Sequence, residues 1–94
     1  MIDFKLHEKG VISLCDSNLL GKTLLDGEVE IKLSEHFYKG EHLGKELLEE
    51  YIKEAANINA VGEESINLLL KLNIIVQENI KMVNKVPMIL VFRM

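Results

Sequence analysis

The chain predicts a small two-layer α+β domain, a mostly antiparallel sheet of about five strands with two helices packed on one face, in the order β-β-β-α-α-β-β. Three observations carry this. Apolar residues alternate with polar ones in the first third, recur every three to four positions between about 41 and 72, and gather into a short apolar run near the end. No linker, repeat or low-complexity tract interrupts the 94 residues, so 1–94 reads as a single domain. A chain of this size buries roughly 65% of the surface its unfolded form exposes, which leaves no room for a second core.

The first element is a hairpin. Ile2, Phe4 and Leu6 alternate with Asp3, Lys5 and His7; Glu8-Lys9-Gly10 turns; Ile12 and Leu14 then alternate with Val11, Ser13 and Cys15. A three-residue loop with glycine last sets Phe4 opposite Leu14 and Leu6 opposite Ile12, so both apolar rows share one face. After Asp16 a turn tucks Leu19 and Leu20 under the sheet, and Asp26-Gly27 turns again. A third strand places Val29, Ile31 and Leu33 inward, and Ser34 to Tyr38 reads as an irregular turn closed by Gly40.

From Glu41 the period becomes helical. Leu43, Leu47, Leu48, Tyr51, Ile52 and Ala55 form one stripe, with Glu46, Glu49, Glu50, Lys53 and Glu54 on the remaining surface. Asn57-Ile58-Asn59 reads as a break, followed by a second helix from about Gly62 to Leu72 with Ile66, Leu69 and Leu70 inward and Asn73 as a left-handed stop. Ile80 to Val83, the turn Asn84-Lys85, and Met88 to Phe92 form the last two strands. The final run suits a strand covered on both faces or set in the middle of the sheet, and Pro87 fits its first position.

Composition excludes several classes. Apolar residues make up 48% and charged ones 28%, ordinary for a globular domain. The longest apolar runs fall far short of the ~20 residues of a membrane span, and the first residues lack the layout of a secretory signal. One cysteine cannot form an intrachain disulfide, and together these features favour a soluble protein of the cytoplasm.

Gly21-Lys22-Thr23 has the ending of a phosphate-binding loop, but the glycine required five residues earlier is Asp16, whose charge would repel phosphate. His7 and Cys15 share the polar side of the hairpin, yet the register holds them apart, so Cys15 reads as a structural thiol and no nucleophile–base pair forms. His36 and His42 stand six residues apart across Gly40, not four apart on one helical turn, so no metal site is expected. Val61-Gly62-Glu63-Glu64 opens a helix with two acids at the positive end of the dipole, which disfavours an anion there. No catalytic residue, cofactor or metal is assigned on these grounds.

The segments Asp16 to Thr23, Asp26 to Ile31, Phe37 to Gly40, Asn59 to Ile66, Val86 to Met88 and Val91 to Met94, in that order, resemble the archaeal domain of unknown function 424 family along the whole chain. The resemblance implies an archaeal origin and a stand-alone domain. It implies no activity, because no mechanism or functional residue is established for that family.

Charge supplies the remaining lead. Residues 1–64 hold fourteen acids and seven bases, a charge of −7, whereas residues 65–94 hold Lys71, Lys81, Lys85 and Arg93 against Glu78 alone, +3, within a net −4. Lys81, Lys85 and Arg93, joined by Lys5 and Lys22, are therefore the candidate nucleic-acid or partner surface. The expectation is a non-catalytic interaction domain, with RNA or a ribosome-associated protein as partner. The alternatives are an adaptor or homodimer meeting its partner through the last strand or through Leu19 and Leu20, and an enzyme using some of His7, Cys15, Glu35 and His36.

Overall fold

The computed structural model describes residues 1–93. Strands β1 (Ile2–Leu6), β2 (Val11–Asp16), β5 (Asn57–Val61), β6 (Lys81–Val83) and β7 (Val86–Phe92) form one sheet in the order β1-β2-β5-β7-β6. All its pairs are antiparallel except β2 with β5. The β1–β2 register sets Phe4 opposite Leu14 and Leu6 opposite Ile12, as turn length and burial pattern require. Both Lys9 (φ 60°) and Gly10 (φ 75°) are left-handed in that turn.

Helices α2 (Lys45–Glu54) and α3 (Glu63–Lys71) cover one face. Leu48, Ile52, Ile66 and Leu69 meet Phe4, Ile12, Leu14, Ile58, Ala60 and Ile89 in the main core. Because strand side chains alternate, the next residues along each strand point to the other face. There Cys15, Val61, Val83 and Met88 pack under a second cluster containing Leu24, Leu33 and Tyr38. Those come from a separate hairpin, β3 (Thr23–Asp26) with β4 (Val29–Lys32), and from a short helix α1 (Glu35–Tyr38).

The α+β class and the two helices on one face stand, while three details differ from the sequence expectation. Asn57–Val61 is the central strand, not a break. Val29 and Ile31 belong to the added hairpin instead of the main sheet, and Val29 is exposed. Ser34 to Tyr38 is a capped helical turn, in which the Ser34 hydroxyl accepts from the Phe37 amide at 3.2 Å. Asn73 (φ 59°) ends α3 as expected, and Asn84 and Lys85 (φ 48° and 66°) form a tight two-residue hairpin turn.

Candidate functional site: the open half of the sheet

On the face away from α2 and α3, α1 packs on β1 and β2 while the β3–β4 hairpin reaches toward β6. A strip over β5 and β7 is left open between them. The strand registers define what stands on it. One row runs Lys5, Ser13, Asn59, Leu90, and the next runs Val11, Asn57, Phe92 with His7 at its β1 end. Asn57 and Asn59 are half-buried, whereas Leu90 is 58% and Phe92 74% exposed.

The β1 side of this strip is built from aromatic and polar contacts. The His7 ring stacks on Phe37 with centroids 4.4 Å apart, and its Nε2 lies 3.0 Å from the Ser13 hydroxyl. Tyr38, buried beneath, donates its hydroxyl to Asn59 Oδ1 at 3.0 Å. On the opposite side a groove of about 320 Å³ is lined by Ile31, Asn79, Lys81, Met88, Ile89 and Leu90. It opens where β6 stops: among the described residues β6 pairs with β7 only over Val86–Met88, so Leu90 and Phe92 are paired with β5 on one side and present a free strand edge on the other.

Among the described residues, the open rows contain no carboxylate. Asp3, the one acid that β1 directs to this face, is buried. Burial alone would raise its carboxyl, but hydrogen bonds from the Ser17 hydroxyl, the Gly40 amide and His42 outweigh that and hold it below its ordinary value. His7 is pushed down by burial first and by the Lys5 charge second, which favours neutral imidazole. Lys5 on β1 and Lys81 on β6 thus bracket the strip from the two edges of the sheet.

The five cations expected to form one surface go to separate places. Lys5 donates to the His36 carbonyl, and Lys81 lines the groove. Lys85 sits in the β6–β7 turn, lining a different hollow with Asp16, Asn18, Glu63 and Pro87. Lys22 is exposed in the β2–β3 connection. Arg93 is turned to the helix side, where its Nη1 donates to the carbonyls of Ile52, Lys53 and Ala55 at 2.9, 3.0 and 3.2 Å. It closes the C-terminal end of α2, where carbonyls lack helical partners and a cation is favoured.

Other groups singled out in the sequence are occupied structurally. Cys15 is wholly buried, and burial, reinforced by Asp16 and Asp3, pushes its thiol up to about 12. Ser13 is likewise wholly buried, so its contact with His7 presents no accessible nucleophile. Asp3, His42 and Ser17 have the residue types of a hydrolase triad but the wrong connectivity. One nitrogen, His42 Nε2, faces both Asp3 (2.8 Å) and Ser17 (3.3 Å), whereas a triad needs the two ring nitrogens to take separate partners. His36 shares no partner with His42, and no group of three His, Cys, Asp or Glu among the described residues could hold a metal ion.

The phosphate-loop ending is resolved in the same way. Gly21 (φ 80°) and Lys22 are tied to Leu33, Gly21 N donating to Leu33 O and Leu33 N to Lys22 O, and Thr23 starts a strand, not a helix. Asp16 itself occupies an anion position. Its carboxylate accepts from the Glu64 and Ser65 amides at 3.0 and 2.9 Å and from the Ser65 hydroxyl at 2.8 Å, capping α3. Sequence reasoning missed this cap, although an aspartate ending one strand and a glycine opening a helix were its two available signals. It also missed the exposure of Phe92, which the uniformly apolar run from Met88 disguised.

Fold and site together define a small α+β domain with a partly uncovered mixed sheet, in which the described residues assemble no nucleophile–base–acid constellation. The chain belongs to the family of proteins of unknown function termed DUF424, whose model matches residues 4–94. An uncharacterized conserved protein from Methanopyrus kandleri has a similar crystal structure, with a TM-score of 0.80 and 24% identity over 96% of this chain and 89% of that one. That likeness shows the shared fold. No curated protein matches.

Proposed function

We propose that this is a non-catalytic RNA-binding domain of the cytoplasm that holds single-stranded RNA across the open half of its sheet. The observation that carries this reading is Phe92, 74% exposed on the uncovered strip of the sheet. It stands directly opposite Asn57 and diagonally next to Asn59. An exposed aromatic ring offers a stacking surface for an unpaired base, side-chain amides offer groups for base edges, and lysines at the margins meet phosphates. Here the margins are Lys5 and Lys81.

The reading is tested by fluorescence anisotropy with a labelled eight-nucleotide RNA at ~50 mM salt. Replacing one stacking side chain removes ~1–3 kcal/mol. Phe92→Ala is therefore expected to weaken binding by at least about five-fold, and Lys81→Ala to weaken it further. Lys85→Ala and Arg93→Ala, altered away from the strip, are expected to bind as the parent does. Equal affinities for Phe92→Ala and the parent would refute the proposal.

One observation favours a second reading. Leu90 and Phe92 lie on a length of β7 that is paired with β5 on one edge and not with β6 on the other, and an unpaired strand edge is a template for pairing with another chain, including a second copy. Sedimentation equilibrium separates the two readings. A concentration-dependent dimer abolished by Phe92→Asp favours pairing, and a strict monomer that binds RNA favours the platform.

A further inference from the structure

Among the described residues, Asn59 is the one side-chain amide on the open strip with a hydrogen-bond partner. Its Oδ1 accepts the hydroxyl proton of Tyr38 at 3.0 Å, and Tyr38 is 6% exposed, held in the second core between α1 and the sheet. A tyrosine hydroxyl can turn to donate or accept, but donation to Oδ1 fixes which end of the amide points down. The carbonyl is engaged, and the NH2 group, with two donors, faces the strip. Asn59 adjoins Leu90 in its own row and Phe92 on the diagonal, at the ~7–8 Å separation that an aromatic side chain or a stacked base spans.

A free asparagine amide reads adenine through a donor–acceptor pair, giving its NH2 to a ring nitrogen and accepting from the exocyclic amino group. The contact with Tyr38 turns the Asn59 oxygen away from the strip, so that half of the pair is not presented to a base lying there even though the oxygen keeps a second lone pair. The strip is offered the NH2 donors, which suit adjacent acceptors such as N3 and O2 of cytosine or N7 and O6 of guanine. We infer that Tyr38 is a positioning residue that fixes the Asn59 amide and so sets the platform to favour acceptor-edged bases and disfavour adenine. This rests on the RNA-binding reading above and adds base selectivity to it.

The test compares the affinities of the native protein for the octanucleotides rC8 and rA8, with Tyr38→Phe and Asn59→Ala as variants. The native protein is expected to prefer rC8 by about five-fold or more, the size of one good base-edge contact. Tyr38→Phe keeps the buried ring and frees the amide to turn, so the preference falls through a gain for rA8. Asn59→Ala lowers it through a loss for rC8. A change in stability alone would move both affinities together and leave their ratio unaltered. Equal native binding of rC8 and rA8, or an unchanged ratio in Tyr38→Phe, overturns the inference while leaving the platform intact. Binding of neither octanucleotide overturns the platform itself.

Discussion

Asp16, Gly62 and Arg93 show how single side chains settle what the termini of two helices do. Gly62 has φ 109°, and a Cβ there would lie 2.2 Å from the Asp16 carboxyl carbon, so the cap on α3 requires glycine at this position. Asp16→Ala removes a buried cap with three hydrogen bonds and is expected to cost about 1–3 kcal/mol, read as a lower urea midpoint at unchanged slope. Arg93→Ala is expected to cost about 1–2 kcal/mol by opening the end of α2, with RNA affinity retained. For Cys15, burial and a thiol pushed up to about 12 predict no reaction with a thiol reagent at pH 8 in the native protein and full reaction in denaturant. Appreciable native labelling would contradict the packing described.

The β1–β2 hairpin, α2 and α3 were readable because local pattern and tertiary role coincide in them: two apolar rows on one face, and two stripes of helical period. The central strand was obscured because asparagine is a poor strand former and marks turns far more often. Its signal was the alternation of Asn57, Ile58, Asn59 and Ala60, with Ile58 and Ala60 buried and the asparagines half-open. The polarity that hid the strand is also what makes its outer face a candidate binding surface. The cationic lead was only half informative, because composition does not tell which face of a strand a charge leaves from. Lys81 points to the open face, and Arg93, at an odd position of the β7 end, to the helices.

The loop from Gly40 to Gly44 is tied to β1 by charge and hydrogen bonding, which sets a pH dependence. A Cβ at Gly40 would lie 1.9 Å from the Phe4 carbonyl oxygen, so the loop passes against β1 itself, and Asp3 binds the Gly40 amide and His42. The Asp3 carboxyl is held below its ordinary 3.8, so its contribution to stability is full above pH 3.8 and is lost as pH falls through the lower folded value. His7 is lowered from 6.5 in the folded state, so the unfolded chain takes up its proton first, and stability declines as pH falls from about 6.5. Urea midpoints are therefore expected to fall between pH 7 and pH 5, with His7→Gln flattening that part of the profile. A profile in this range indifferent to His7→Gln would contradict the assignment.

Taken as one body, the molecule is anionic with its cations dispersed, and under the proposed reading that limits how it would hold RNA. A protein that relied on phosphate neutralisation would concentrate Lys and Arg. Here two lysines flank a strip whose floor is amide, leucine and phenylalanine, so the proposed reading expects stacking and base-edge contacts to supply most of the affinity. For single strands the slope of log K against log salt is about −0.7 per phosphate contact, and two contacts predict a slope near about −1.4. A slope steeper than about −3 would point to the dispersed lysines instead of the strip. Backbone amide chemical-shift mapping on titration with rC8 addresses the central claim most directly. The expected result is shifts confined to Asn57–Val61, Met88–Phe92, Lys5, His7 and Lys81. Shifts centred on Lys22, Lys85 and the N-terminus of α3, or none at saturating RNA, would contradict the account.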